Sequence, residues 1–203
     1  KKKKLRVIED AAHAFGSKYK NKKIGSIGDV TCFSFDGIKN ITTGEGGCLV
    51  TKDTKIIKIA KDIRLLGVSN DTNNRYSGHR SWVSDVYRQG WRYHMSDINA
   101  SIGRIQLKRF NYFSKKRKFL CKQYDKIFSK HPLIHTFNRD YNQEVPHIYV
   151  IRIKNLKKRS HLRSDLLINN IQTGIHYQPG YKYTKFKRSK KLFPNTEKIY
   201  KEL

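Results

Sequence analysis

Apolar and polar positions along the chain mark out its elements before any chemistry is considered. LRVIE at 5–9 reads as a short buried strand running into Asp10. The stretch from Ala11 to Asp29 carries Gly16, Gly25 and Gly28 and reads as loop, with a small hairpin around Asn21. VTCFSF at 30–35 is β-branched and aromatic, a strand, and GGCLVT at 46–51 is the next. Residues 52–67 place Ile56, Ile57, Ile59, Ala60, Ile63 and Leu66 at helical spacing, with a glycine stop at Gly67. Residues 68–90 have no periodicity, and a loop of that length is usually functional or disordered. Ser96 then caps a helix with Ile98, Ile102 and Ile105 on one face, and a second helix covers 114–129. HIYVIRI at 147–153 predicts a strand, 159–171 a helix, TGIHY at 173–177 a strand, and the closing KIYKEL a helix. The pattern predicts an α/β chain: one domain over 1–129 with long helices, and a small α+β domain over 130–203. Neither end has the look of a domain boundary, so the chain reads as part of a longer protein.

Charge adds a question. Lys+Arg number 44 against Asp+Glu 16, a formal net charge of +28. Such an excess suits polyanions: nucleic acid, anionic membrane or phosphorylated substrates. The basic residues run along the whole length, KKKK at 1–4 and KKRK at 115–118 among them, so a solvated lysine-rich surface is the favoured reading. The hydrophobic fraction of 37% is enough to bury a core. Three cysteines, Cys32, Cys48 and Cys121, form no CxxC pair, and the odd count argues against a disulfide framework. A reducing, cytoplasmic compartment fits. No apolar run approaches the roughly 20 residues that span a bilayer, so no membrane is expected, and no metal.

The chemistry gathers near the first strands. Asp10 follows a hydrophobic strand, and in open α/β sheets ligands bind at the strands' carboxyl ends. An acid there also serves as a helix cap or loop acid. His13, three residues on, is by itself as well explained by packing. Lys39 sits between the aromatic strand and the Gly44-Glu45-Gly46-Gly47 turn. Burial of an amine disfavours its charged form and frees it for Schiff-base chemistry. Ser34 and nearby backbone N–H groups suit a phosphate, yet no Gly-Lys-Ser/Thr or GxGxxG motif is present. Pyridoxal phosphate asks for a lysine, an acid facing the pyridine nitrogen and phosphate ligands; Lys39, Asp10 and Ser34 are candidates for these.

VIEDAAHAFGSKYKNKKIGSIGDVTCFSFDGIKNITTGEGGCLVTKD, at 7–53, strongly resembles the DegT/DnrJ/EryC/StrS family of sugar aminotransferases. The likeness continues in GWRYHMSDINASIGRIQLKR at 90–109 and NNIQTGIHYQP at 169–179. It implies a partial fold-type I pyridoxal phosphate transferase: the later part of the cofactor-binding large domain, then an incomplete small domain. By position, Lys39 matches the lysine that binds the cofactor's aldehyde, Asp10 the acid at the pyridine nitrogen, His13 a residue against the ring, and Ser34 a phosphate ligand. His94 and Arg92 fall in the segment that reaches the neighbouring subunit's site in a homodimer, and neither is the family's usual asparagine. His176 and Tyr177 match a segment lining the sugar-nucleotide site. The implied reaction moves an amino group from glutamate, leaving 2-oxoglutarate, to a keto-sugar nucleotide, most often for surface polysaccharide such as O-antigen, capsule or lipopolysaccharide. Dehydratase-type relatives carry histidine at the lysine position, so Lys39 points to transamination. Two rival readings are a truncated, non-catalytic remnant of the family and a charge-driven nucleic-acid-binding module, the latter with affinity falling steeply in salt.

Overall fold

β1 (Ile8–Asp10) is shorter than the 5–9 strand its sequence predicts, and lies further along the chain. The reason is its partner. β4 (Val30–Ser34) begins only at Val30, so the parallel ladder starts at Ile8↔Val30 and ends at Asp10↔Cys32. Val7 is held by Asp29 instead, its N–H donating to Oδ2 at 2.9 Å. β5 (Gly47–Thr51) pairs antiparallel on the other side of β4, from Val30↔Thr51 to Ser34↔Gly47, giving the order β1-β4-β5. Between β1 and β4, β2 (Lys18–Tyr19) and β3 (Lys22–Lys23) form the expected hairpin. Its two turn residues, Lys20 and Asn21, both have positive φ (48° and 64°), the requirement of a tight primed turn.

The computed structural model describes residues 5–68 and 85–203. These divide into two compact units, residues 1–118 with 140–147, and residues 119–139 with 148–203. Of the long loop predicted at 68–90, the stretch 69–84 lies outside the described residues.

In the first unit, side chains alternate across the sheet. Thr31 (0% exposed) and Phe33 point to the packed face, where Phe15 meets Phe33, Phe35 and Phe110 edge-on at 5.4, 5.8 and 5.1 Å. The opposite face is open in part: Ile8 is 72% and Leu49 42% exposed, and Cys32, opposite Leu49, is exposed, while Val30 is buried. α1 (Thr54–Ile63) starts where Asp53 accepts from the N–H groups of Lys55 and Ile56, at 3.0 and 3.3 Å. It stops four residues before Gly67. Beyond Ile63 the chain gives up helical bonds for pairing with 91–93: Trp91 N–H donates to Ile63 O at 2.7 Å and Tyr93 N–H to Arg64 O at 2.8 Å. α2 (Asp97–Phe128) is one helix of 32 residues rather than the two predicted. Residues 111–114, Asn-Tyr-Phe-Ser, contain no proline or glycine to break it. Ser96 caps it as expected, accepting from Asn99 N–H at 3.2 Å.

The N-cap carries a prediction. Asp53's carboxyl is held below its usual range, first by the backbone N–H of Ile56, then by Lys55 and by Arg6 at 3.2 Å. A depressed native value stabilises above the unfolded value and is lost as pH falls through the native one. Asp53→Ala is therefore expected to lower the melting temperature at neutral pH, with the gap to wild type closing below about pH 4. A gap that persists unchanged at pH 2 would contradict this account.

In the second unit, β6 (Ile134–Thr136) pairs antiparallel with β7 (Ile151–Ile153). The strand predicted over 147–153 is cut to its last three residues, because β6 offers only three partners. α3 (Arg159–Ile168) follows, and α4 (Pro194–Glu202), with proline in its first turn, matches the helix expected in KIYKEL. Arg152 pairs with Glu202, and Arg159 Nη1 donates to Tyr200 O and Leu203 O at 2.8 and 2.7 Å, satisfying carbonyls at the end of α4. TGIHY forms no strand; it has no ladder partner among the described residues. Instead Arg163 holds Thr173 through its hydroxyl and carbonyl, at 3.2 and 3.1 Å. No helix among the described residues is long and apolar enough to cross a membrane.

Candidate active site

The open face of the sheet gathers the first candidates. Asp10 ends β1 directly opposite Cys32, and Ser34 lies two residues further on the same face of β4. Asp10 Oδ1 accepts from Ala12 N–H at 3.1 Å, which turns the chain into the loop that carries His13. After Ser34, the chain makes a tight turn. Ile38 N–H donates to Asp36 Oδ1 at 3.1 Å and Lys39 N–H to Asp36 O at 3.0 Å. This is the local hydrogen bonding by which aspartate favours turns. It leaves Lys39 half-buried, with Nζ 3.0 Å from His13 Nε2. The amine donates to that nitrogen when the imidazole carries its proton on Nδ1.

Asn40, the next residue, is 4% exposed. Its side-chain NH2 donates to Phe15 O at 3.4 Å and Val145 O at 3.0 Å. Those two bonds fix the amide and leave Oδ1 buried without a partner among the described residues. Thr43 behind it is 4% exposed, its hydroxyl donating to Glu45 O at 2.7 Å. Two glycines close around Thr43. A Cβ on Gly103 of α2 would come within 2.6 Å of its Cγ2, and one on Gly46 within 2.6 Å of its Oγ1. Gly46 also has φ 149°, which no side chain adopts easily. The GEGG turn is thus locked onto α2, and Asn99 Nδ2 adds a bond to Glu45 O at 2.9 Å. A cleft of about 230 Å³ runs along the Lys39 turn, bounded on the α2 side by Gln106, Phe113 and Arg117. It is smaller than the roughly 300 Å³ at which drug-sized pockets begin, too small for a nucleotide.

The sequence-predicted residues divide accordingly. Lys39 and His13 touch, and Asp10 and Ser34 share one face of the sheet. Arg92 and His94 are exposed on the segment paired with the end of α1; among the described residues, neither has a hydrogen bond or ring contact to Lys39 or His13. His176 and Tyr177 lie exposed in the second unit, their rings edge-on at 5.0 Å. Sequence reasoning missed Asn40 and His147. His147 stacks on His13 with centroids 4.1 Å apart. Its place at the head of HIYVIRI predicts only the start of a strand, and no local signal marks it further; Asn40's signal is its place directly after Lys39.

The sequence pattern of the DegT/DnrJ/EryC1/StrS aminotransferase family matches residues 1–203. The chain belongs to that family. The spore coat polysaccharide biosynthesis protein SpsC of Bacillus subtilis is 37% identical over 207 residues, covering 97% of this chain and 53% of SpsC. A UDP-4-amino-4,6-dideoxy-N-acetyl-beta-L-altrosamine transaminase of Campylobacter jejuni is 34% identical, covering 93% of this chain and 49% of its own. Among solved structures, the putative sugar aminotransferase Spr1654 from Streptococcus pneumoniae in its PMP form aligns with a TM-score of 0.85 at 29% identity, over 97% of this chain and 52% of that one. Helicobacter pylori PseC, an aminotransferase involved in the biosynthesis of pseudoaminic acid, aligns at 0.84 and 27%, over 99% and 53%. The fold is therefore part of the fold-type I transferase architecture, and the chain spans about half the length of the curated relatives it matches.

Proposed function

We propose that the protein transfers an amino group from glutamate to a keto-sugar nucleotide, using pyridoxal phosphate, in the synthesis of a surface polysaccharide. The observation that carries this is the Lys39 amine, held 3.0 Å from the Nε2 of His13, which follows Asp10 by three residues. The family and the names of its similar members support it.

The donor set fits the cofactor. Among the described residues the Lys39 amine faces an imidazole rather than a carboxylate, so no ion pair ties it up. Asp10 uses one oxygen on Ala12 N–H, and among the described residues its other oxygen has no hydrogen-bond partner. Ser34 offers its hydroxyl to a phosphate on the same face. Pyridoxal phosphate, when bound, supplies an aldehyde and a protonated pyridine ring that accepts electrons. Asp10 would hold the proton on the pyridine nitrogen. Lys39 would hold the group by its aldehyde, and its amine would serve as the base that removes a proton from the amino donor's Cα. His13 would be a neighbour of the bound group. Across both halves of the reaction, glutamate becomes 2-oxoglutarate and the sugar's carbonyl becomes an amine.

The same reading gives His94 the cofactor phosphate in a partner subunit of a homodimer. It gives Arg92, His176 and Tyr177 the sugar-nucleotide substrate, and divides the chain into a large domain over 1–129 and a small one over 130–203. Cys32, Cys48 and Cys121 form no disulfide among the described residues, which supports a cytoplasmic setting.

Adding pyridoxal phosphate to the purified chain and recording its visible spectrum tests the proposal. A protein-bound absorbance band distinct from that of the free cofactor is expected, and its absence at saturating cofactor would refute binding. Asp10→Asn is expected to cripple turnover far more than cofactor uptake, since a neutral amide no longer holds a proton on the ring. Equal loss of both would make Asp10 a structural acid.

A further inference from the structure

The geometry points to His147 as a positioning residue for the Lys39–His13 pair, a role that rests on the function proposed above. His147 ends the segment 140–147, which returns to the first unit from far along the chain. Its ring lies over that of His13, centroids 4.1 Å apart and planes 34° from parallel. His13 is in turn the 3.0 Å neighbour of the Lys39 amine.

The segment that delivers His147 is fastened along its length. Lys18 N–H donates to Gln143 O at 2.7 Å, and Asn21 N–H to Gln143 Oε1 at 3.1 Å. Val145 N–H donates to the buried Ser17 hydroxyl at 2.9 Å. Arg117 of α2 donates to His147 O at 2.9 Å. Another tie is Asn40, whose amide donates to Val145 O at 3.0 Å.

These contacts close a circuit. It runs from the Lys39 amine to His13, through the ring stack to His147, two residues back to Val145, and across to Asn40. Asn40 is joined to Lys39 by one peptide bond. A closed circuit leaves each member fewer ways to relax than an open chain of contacts does, which is how a supporting shell holds reacting groups in place. An imidazole with nothing on its outer face is free to change rotamer and carry the amine contact with it. A second ring stacked on that face removes the freedom. His147 thus sets the orientation of His13, and through it the place of the Lys39 amine, without touching substrate.

The test compares two variants of the full chain. His147→Leu keeps an apolar side chain of similar bulk and removes the ring; His147→Phe keeps a ring and removes the nitrogens. Circular dichroism checks that both fold. Long-range proton–nitrogen NMR then follows the histidine rings in cofactor-free protein, with His13→Gln assigning the His13 signals. His147→Leu is expected to shift and broaden the His13 signals, and His147→Phe to restore them. The dissociation constant for pyridoxal phosphate is expected to rise about fivefold in His147→Leu, the size of one lost ring pair, and to recover in His147→Phe. Unchanged His13 signals in His147→Leu overturn the inference. So does equal disturbance in both folded variants, which would assign the effect to the imidazole nitrogens instead of the stack. If wild type takes up no pyridoxal phosphate, the functional reading fails, and the His13 signals alone still decide the positioning role.

Discussion

Lys39→Ala is expected to leave no pyridoxal phosphate on the Lys39 peptide after borohydride reduction, and to lower transamination by roughly 10³-fold, within the range lost with a positioned base. Peptide mapping is essential because the chain carries 44 lysines and arginines, and exposed lysines also react with aldehydes. What singles out Lys39 is its setting. It is half-buried in a turn fixed by Asp36, and its amine faces the ring nitrogen of His13 rather than a carboxylate. Lys39→Arg separates charge from nucleophilicity. A guanidinium keeps the positive charge and cannot give up its proton in a protein. It is expected to fail as completely as alanine. An adduct on another lysine, with activity intact in Lys39→Ala, would remove Lys39 from the mechanism.

Phe15→Ala is the substitution with the largest expected cost to folding, about 3 kcal/mol, the lower end for deleting a core phenylalanine because Phe15 is only half-buried. Phe15 meets three other rings, Phe33, Phe35 and Phe110, and each edge-on pair adds to the area it buries. Urea unfolding followed by circular dichroism measures the loss, and a change below about 1 kcal/mol would mean the cluster collapses onto the gap. The effect reaches the site. The Phe15 carbonyl accepts from Asn40, and the loop that holds Phe15 also holds His13. Pyridoxal phosphate uptake should therefore weaken in Phe15→Ala even under conditions where the variant is folded.

The strands around the site were legible in the sequence because they are short β-branched and aromatic runs bounded by turn residues. β4 and β5 differ from their predicted ranges by a residue at one end. The hairpin was legible for a similar reason: Asn21 adopts the left-handed conformation that its turn needs. Elsewhere local pattern was overruled by pairing. β1 shifted because β4 starts late, α1 ended early because residues 91–93 offered better partners, and TGIHY stayed irregular for want of a neighbouring strand. α2 was split in two by a weak stretch in its apolar periodicity, though nothing in that stretch breaks a helix. The site divides along the same line. Asp10, His13, Ser34 and Lys39 fall within one short span with recognisable motifs. His147 belongs to the arrangement through a contact between distant parts of the chain, and such contacts leave no local mark.

The enclosure of Thr43 bears on how this chain can drift over time. Its methyl and hydroxyl fill the space that Cβ atoms at positions 103 and 46 would need. A change of Gly103 to alanine alone meets the Thr43 methyl at 2.6 Å. Descendants that gain a side chain at 103 are therefore expected to hold serine or glycine at 43. Position 46, barred by its backbone as well, should stay glycine in both lineages.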